Sequence, residues 1–165
     1  MTLKKSFPPV VDERTRLLLL GSLPGERSLE EGRYYAFPTN QFWQLVGPVI
    51  GEDLQSMDYH ARLAALRAHG IGLWDVVSAA RREGSGDQAI RDAEHNDIGG
   101  LKRGYPELKA IAFNGGRAAK DGLRLLAGVE GLNLLALPSS SAANARMALA
   151  EKARAWAALG QFLRR

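Results

Sequence analysis

Asn40 is the residue of this chain best placed by its neighbours to do chemistry. It sits in the run Tyr34-Tyr35-Ala36-Phe37-Pro38-Thr39-Asn40-Gln41-Phe42-Trp43, downstream of the turn Gly21-Ser22-Leu23-Pro24-Gly25. A side-chain amide cannot abstract a proton at neutral pH. Its carbonyl oxygen can orient a water, and its NH2 can donate to a substrate or a leaving group. Asn114, ahead of Gly115-Gly116, offers two-sided hydrogen bonding to a ligand edge. The run Pro138-Ser139-Ser140-Ser141 precedes a helical pattern, and the N–H groups of a helix start suit a phosphate. Each of these has a plainer role beside the chemical one. Asn40 caps a helix, Asn114 fills a turn, and the serines cap the last helix. For Asn40 the two roles coexist.

The aromatics divide in the same way. Tyr34, Tyr35 and Phe37 are either core or a flat face for a planar ligand such as an unstacked base. Phe42 and Trp43 fall at core-facing helix positions and read as packing. Asp75, at the end of a strand, reads as a hydrogen-bond acceptor rather than a general base. Other chemistries lack their patterns. His60, His69 and His95 are scattered without metal-ligand spacing, so no metal is expected. Neither the phosphate-binding G-x-x-x-x-G-K-[ST] loop nor G-x-G-x-x-G occurs. A serine hydrolase using Ser22 or Ser140 is conceivable, but Gly21 to Gly25 is not a G-x-S-x-G elbow and no histidine supports either serine.

The elements that must position these residues alternate between strand and helix. Arg16 to Leu20 is a short apolar run and reads as a buried strand. Ile71 to Val77, Leu108 to Phe113 and Leu132 to Leu137 read as three more. Helices are expected over Asn40 to Ile50, distorted by Pro48, and over Asp58 to His69, capped by Asp58. Ile98 to Arg103, a segment from Pro106, and a stretch opened by Gly115-Gly116 and running to about Ala127 are also expected to be helical. A last helix is expected from Ala143 to Leu163 with Leu149, Ala153, Trp156 and Leu163 inward. Residues 1–15 read as an extended lead-in and Arg81 to Asp97 as a long loop. Alternating strands and helices imply a parallel sheet covered on both faces, with loops after strands one, three and four converging on one cleft.

At 165 residues and 17.9 kDa the chain is expected to be one domain, residues 1–165. It has no cysteine, which excludes disulfides and Cys-ligated zinc or iron–sulfur sites and fits a cytoplasmic protein. No signal core or membrane-length apolar stretch is present. A net charge of +4 and a pI near 9.6 suit a polyanionic partner.

Taken together, GSLPG, YYAFPTNQFW, FNGG and LPSSSAAN, in this order on successive strand ends, resemble the uracil-DNA glycosylase superfamily. The resemblance is greatest to its family 6 branch, the hypoxanthine-DNA (DNA-deoxyinosine) glycosylases, and GLWDVV, REGS and NDI extend it. It covers Leu17 to about Asn144. It implies a three-layer α/β/α sandwich over a mainly parallel four-stranded sheet. It also implies hydrolysis of the N-glycosidic bond of a flipped, deaminated base, without cofactor or metal, by a monomer acting on DNA. Hypoxanthine is the expected base and uracil the alternative, with a non-catalytic DNA-binding module as the rival class.

By that resemblance Asn40 is catalytic and Tyr35 stacks on the base. Asn114 binds the base edge, with Gly21, Ser22, Leu23, Pro24, Phe37 and Ser139 around it. Ser140, Ser141, Asn144, Arg146 and Arg117 are the DNA contacts. Ser22 and Leu23 occupy a segment where relatives often carry the catalytic Asn or Asp. Phe37 stands where relatives often have His, and Ala142 where the branch often has Pro. Arg146 or Met147 is left to fill the gap of a flipped base. Asn40 would then place the attacking water or stabilise the departing base.

Overall fold

Leu17, Leu18, Leu19 and Leu20 have no solvent exposure, so the strand they form is covered on both faces. Successive strand residues point to opposite faces. Leu17 and Leu19 accordingly join one apolar cluster, with Phe42, Trp43, Val46, Leu66 and Trp156. Leu18 and Leu20 join another, with Ile98, Ile111, Phe113, Ala118 and Leu126.

The computed structural model describes residues 3–144 and 146–163. In chain order the elements are β1 (Leu3–Lys5), β2 (Leu17–Gly21), α1 (Glu26–Glu31), α2 (Phe42–Ile50), α3 (Tyr59–Ala68), β3 (Ile71–Asp75), β4 (Val77–Arg81), β5 (Arg91–His95), α4 (Ile98–Gly104), β6 (Ala110–Asn114), α5 (Gly116–Leu125), β7 (Asn133–Leu137) and α6 (Leu149–Ala157). Short 3-10 turns lie at Leu54–Ser56, Asp87–Ala89 and Ala158–Phe162. The main sheet has the order β3-β2-β6-β7. Every neighbour in it is parallel, and Gly21 pairs with Asp75 and Asn114 with Leu137. Helices α2, α3 and α6 supply residues to one cluster, and α4 and α5 to the other. The expected three-layer α/β/α architecture is therefore present, and all the strand ends open on one edge.

A second sheet, β1-β4-β5, was not expected. It is antiparallel, and its register shifts between Val77 and Arg81. Two segments read as irregular supply it: the lead-in contributes β1, and the loop after Arg81 contributes β5. The β5 sequence, Arg-Asp-Ala-Glu-His, is mostly exposed and carries no apolar alternation. Its pairing comes from backbone bonds to β4, which side-chain pattern cannot announce. The strand expected over Ile71 to Val77 is also two strands. The chain leaves the main sheet at Asp75 and enters the second at Val77, with the Val76 and Val77 N–H groups donating to Gly21 and Ser22 carbonyls at 2.8 and 2.9 Å.

The helices are corrected at their ends. Helix α2 begins at Phe42, two residues after Asn40. No helix starts at Pro106, which lies in a turn. Among the described residues the last helix starts at Leu149 rather than Ala143; Ala145, within the expected span, lies outside the described residues. Its inner face is Lys152 and Trp156, with Leu159 beyond, while Leu149 is exposed. Asp58 caps α3 as expected, accepting from the Ala61 N–H at 2.9 Å.

Candidate active site

The loops at the carboxyl ends of β2, β3, β6 and β7 enclose a cavity of about 650 Å³. The segments 34–40 before α2 and 85–88 after β4 complete its walls. Gly21, Ser22, Leu23, Pro24, Tyr35, Phe37, Asn40, Asn114, Ser139, Ser140, Ser141 and Asn144 all line it, so residues from four separate motifs meet at one place. Arg117 and Arg146 do not line it. The Arg117 Nε donates to Asp121 at 2.8 Å, and Arg146 is exposed on the turn that follows the serines.

Three polar side chains at the wall form a chain of hydrogen bonds with a defined direction. Asn40 Oδ1 accepts from the Phe42 N–H at 3.0 Å and from Ser140 Oγ at 2.8 Å. Ser140 Oγ in turn accepts from Asn114 Nδ2 at 2.9 Å, and Asn114 Oδ1 accepts from the Ser140 N–H at 2.9 Å. A backbone N–H can only donate, so it settles which atom of each amide is oxygen. Both acceptor positions of the Asn40 oxygen are filled. What Asn40 offers the cavity is its NH2. Asn40 thus anchors the start of α2 through an Asx-type contact while Gln41 holds the formal cap position.

The serine loop is held from behind. Pro138 O accepts from the Trp156 indole at 3.0 Å, and Ser140 O from the Gln41 N–H at 2.8 Å. The buried Lys152 ammonium donates to Gln41 Oε1 at 2.7 Å and to Ser141 O at 3.2 Å, tying α6 to both site loops. The serines do not cap α6. Ser139 Oγ accepts from the Ser141 N–H and Ser141 Oγ from the Ala143 N–H, so they fold their own turn.

Tyr35 has a positive φ of 53°, a conformation that non-glycine residues seldom adopt. It is over-determined by packing. Its ring stacks on Phe42 at 3.8 Å with the planes 7° apart, and its carbonyl accepts from the Trp43 indole at 3.2 Å. One ring face is therefore occupied, and the rest of the ring and the hydroxyl border the cavity. Tyr34 is core, with its hydroxyl on Pro8 O at 3.1 Å. Phe37 is 55% exposed at the cavity wall, and Phe42 and Trp43 are packed in the core as read.

The carboxylates of the site have no clear signal in the sequence beyond strand-end position. Asp75 is 3% exposed, and burial, with the nearby Asp87 adding to it and Arg82 opposing it, pushes its carboxyl from 3.8 up to about 7. Asp87 accepts from Ser22 Oγ at 2.5 Å. Arg82, whose side chain is wholly buried, gathers the carbonyls of Pro24 (2.6 Å), Gly84 (2.8 Å) and Leu23 (3.4 Å), pinning the Gly21–Gly25 turn to the 84–88 segment. Arg82 and Asp87 were missed because both lie in the stretch read as loop. Asp75 and Asp87 thus bring two carboxyl groups to one side of the cavity, each discouraging a second charge beside it.

Comparison with known proteins places these motifs in one family. The family described as the uracil DNA glycosylase superfamily matches residues 8–160. A hypoxanthine DNA glycosylase of Methanosarcina acetivorans is 50% identical over 144 residues, 87% of this chain and 90% of that one. A hypoxanthine DNA glycosylase of Methanosarcina barkeri is 47% identical over 154 residues, 93% of this chain and 96% of that one. A solution NMR structure described as a candidate uracil DNA glycosylase from Methanosarcina acetivorans superposes with a TM-score of 0.87 at 46% identity, covering 98% and 99% of the two chains.

Proposed function

The chain belongs to the uracil DNA glycosylase superfamily, and from that premise we propose that it is a monofunctional DNA glycosylase that removes a deaminated base, hypoxanthine first, and leaves an abasic site. The observation that carries the mechanism is the saturated Asn40 oxygen beside an amide nitrogen that has no hydrogen-bond partner among the described residues.

A deaminated base pairs poorly, so flipping it costs less than flipping a normal one. The cavity receives it between Tyr35, Phe37 and the loops that follow β2 and β7. Cleavage breaks the bond between C1′ and the base nitrogen. Positive charge grows on the sugar and negative charge on the departing base. The Asn40 NH2 donates to that base, where a donor is worth most because the charge exists only as the bond breaks. Water then bonds to C1′, and its proton goes to the released base. Hypoxanthine has an ionisable ring N–H and leaves more readily than adenine, so placed donors suffice without a strong general acid. Asn114 and Ser140 hold Asn40 in its productive orientation. Ser141, Asn144, Arg146 and the start of α5 near Arg117 meet the DNA backbone, where phosphate contacts position the duplex.

The test is incubation with labelled duplexes carrying one hypoxanthine, uracil or xanthine, followed by alkaline cleavage of abasic sites. Strand scission at hypoxanthine, lost in Asn40→Ala, is the expected result. Scission with full activity in that variant overturns the role of Asn40, and binding without scission on any substrate overturns the enzymatic reading.

A further inference from the structure

Among the described residues, two buried polar atoms of cavity-lining side chains make no well-formed hydrogen bond: Asp75 Oδ2 and Tyr35 Oη, the latter beside the Asn114 side chain. Buried polar groups in folded proteins are nearly always paired, because leaving one bare forfeits its hydrogen bonds to water. Two such atoms on one ligand-sized cavity therefore point to a partner that the ligand brings. The backbone supports this. Gly21 pairs with Asp75 across the sheet, and a Cβ at Gly21 would stand 2.7 Å from Asp75 Oδ1 and 3.1 Å from Tyr35 Oη. The carboxyl and the hydroxyl thus converge on one point, over a residue with no side chain to separate them from the space above. Asn114, the expected reader of the base edge, has much of its amide committed to Ser140.

Deamination has one chemical signature. It turns an N=C–NH2 edge into an HN–C=O edge, reversing donor and acceptor at two adjacent atoms. We infer that Asp75 and Tyr35 read this lactam edge, the Asp75 carboxylate accepting from the ring N–H and the Tyr35 hydroxyl donating to the carbonyl beside it. An undeaminated adenine would aim a ring-nitrogen lone pair at the carboxylate and leave it unpaired, which is how a polar site rejects a near-isostere. The groups facing Asp75 are Asp87 from the 3-10 turn, Arg82 just past β4, and the hydroxyls of Tyr34 and Tyr35. Burial and Asp87 resist ionisation of Asp75, and a ring N–H donated to its carboxyl group supplies the stabilisation that the carboxylate lacks. This inference rests on the glycosylase reading above and adds to it the residues that select the base.

The test compares single-turnover cleavage of hypoxanthine and of 1-methylhypoxanthine, which lacks the ring N–H, in otherwise identical duplexes. Asp75→Ala is expected to slow hypoxanthine cleavage about 10- to 100-fold. Cleavage of the methylated base is expected to stay the same or rise, so the preference for hypoxanthine collapses. Should Asp75→Ala fail to fold by circular dichroism, the apolar near-isostere Asp75→Leu carries the same comparison. Tyr35→Phe is expected to slow hypoxanthine about tenfold and to keep the preference between the two bases. A variant at Asp75 that slows both bases equally, or slows neither, overturns the inference and leaves the glycosylase reading standing. No cleavage of hypoxanthine by the unaltered chain overturns both.

Discussion

Ser140 Oγ donates to Asn40 Oδ1 across 2.8 Å, joining two residues one hundred positions apart in the chain. A hydroxyl has one hydrogen, so by giving it to Asn40 the serine must receive from Asn114, as the 2.9 Å contact shows. The middle residue sets the direction of the whole chain of bonds. Replacing it with Ser140→Ala leaves the backbone bond to Asn114 Oδ1 in place and strips one acceptor and one donor from between two amides. The single-turnover rate is expected to fall about tenfold or more with little change in duplex affinity. The stability loss is expected to be about 1–3 kcal/mol. Unchanged turnover in a folded variant would show that Asn40 is oriented by Phe42 alone.

Asn40→Asp separates the two roles open to an amide. An aspartate keeps oxygens for the Phe42 N–H and the Ser140 hydroxyl, and so keeps the fold of the loop. It lacks the NH2. If that NH2 meets the departing base, the rate is expected to drop about 10²–10³-fold, the usual cost of losing a placed donor. Quenched-flow rates on hypoxanthine duplex decide it. An aspartate variant as fast as the wild type would return Asn40 to the role of water carrier.

Asp75 makes stability fall as pH rises. Its folded value, about 7, lies above its ordinary 3.8 because of burial first and Asp87 second. Between those values the folded chain keeps a proton that the unfolded chain has released, so stability declines through this window and is flat above it. Asp75→Asn is therefore expected to be more stable than wild type at pH 8, by about 1–4 kcal/mol, and no more stable near pH 4. Urea denaturation at the two pH values checks this. An equal gain at both would mean that titration of Asp75 is not its source.

Arg82 is expected to tolerate no replacement. Its guanidinium meets carbonyls from both sides of the cavity wall, and a lysine ammonium cannot span the same three acceptors. Arg82→Lys is expected to cost about 1–3 kcal/mol and to raise KM more than it lowers kcat, because the Gly21–Gly25 turn loosens. A variant with wild-type KM and stability would show that the turn holds itself.

Much of this architecture was legible in the residues. The apolar run Leu17 to Leu20 could only be a strand covered on both faces, and the motifs after β2, β6 and β7 follow from its parallel neighbours. The polar strand β5 was not legible, since Arg91 to His95 carries no apolar alternation and its register on β4 is set by backbone pairing. Arg82 and Asp87 were hidden for the same reason, in a stretch whose composition reads as solvent-facing. Ser140 was visible as a phosphate contact but not as the link between Asn114 and Asn40, because hydrogen bonds between distant loops leave no periodicity behind. Leu149 was misjudged because α6 begins with it: it shares a face with Trp156, seven residues on, but at the first position of the helix it stands exposed.

The step from β3 to β4 passes through Val76 alone, so one stretch of backbone is claimed by two sheets at once. Val76 and Val77 are both anchored to carbonyls of the neighbouring strand end. A segment held this way has no slack to lengthen, shorten or swing. Asp75 is consequently presented by a rigid mount, already ordered before any base arrives, and docking against it forfeits little chain entropy. The facing lip, residues 84–88, is held differently, by side chains rather than by a sheet: Arg82 grips the Gly84 carbonyl, Ser85 Oγ accepts from the Glu26 N–H, and Asp87 accepts from Ser22.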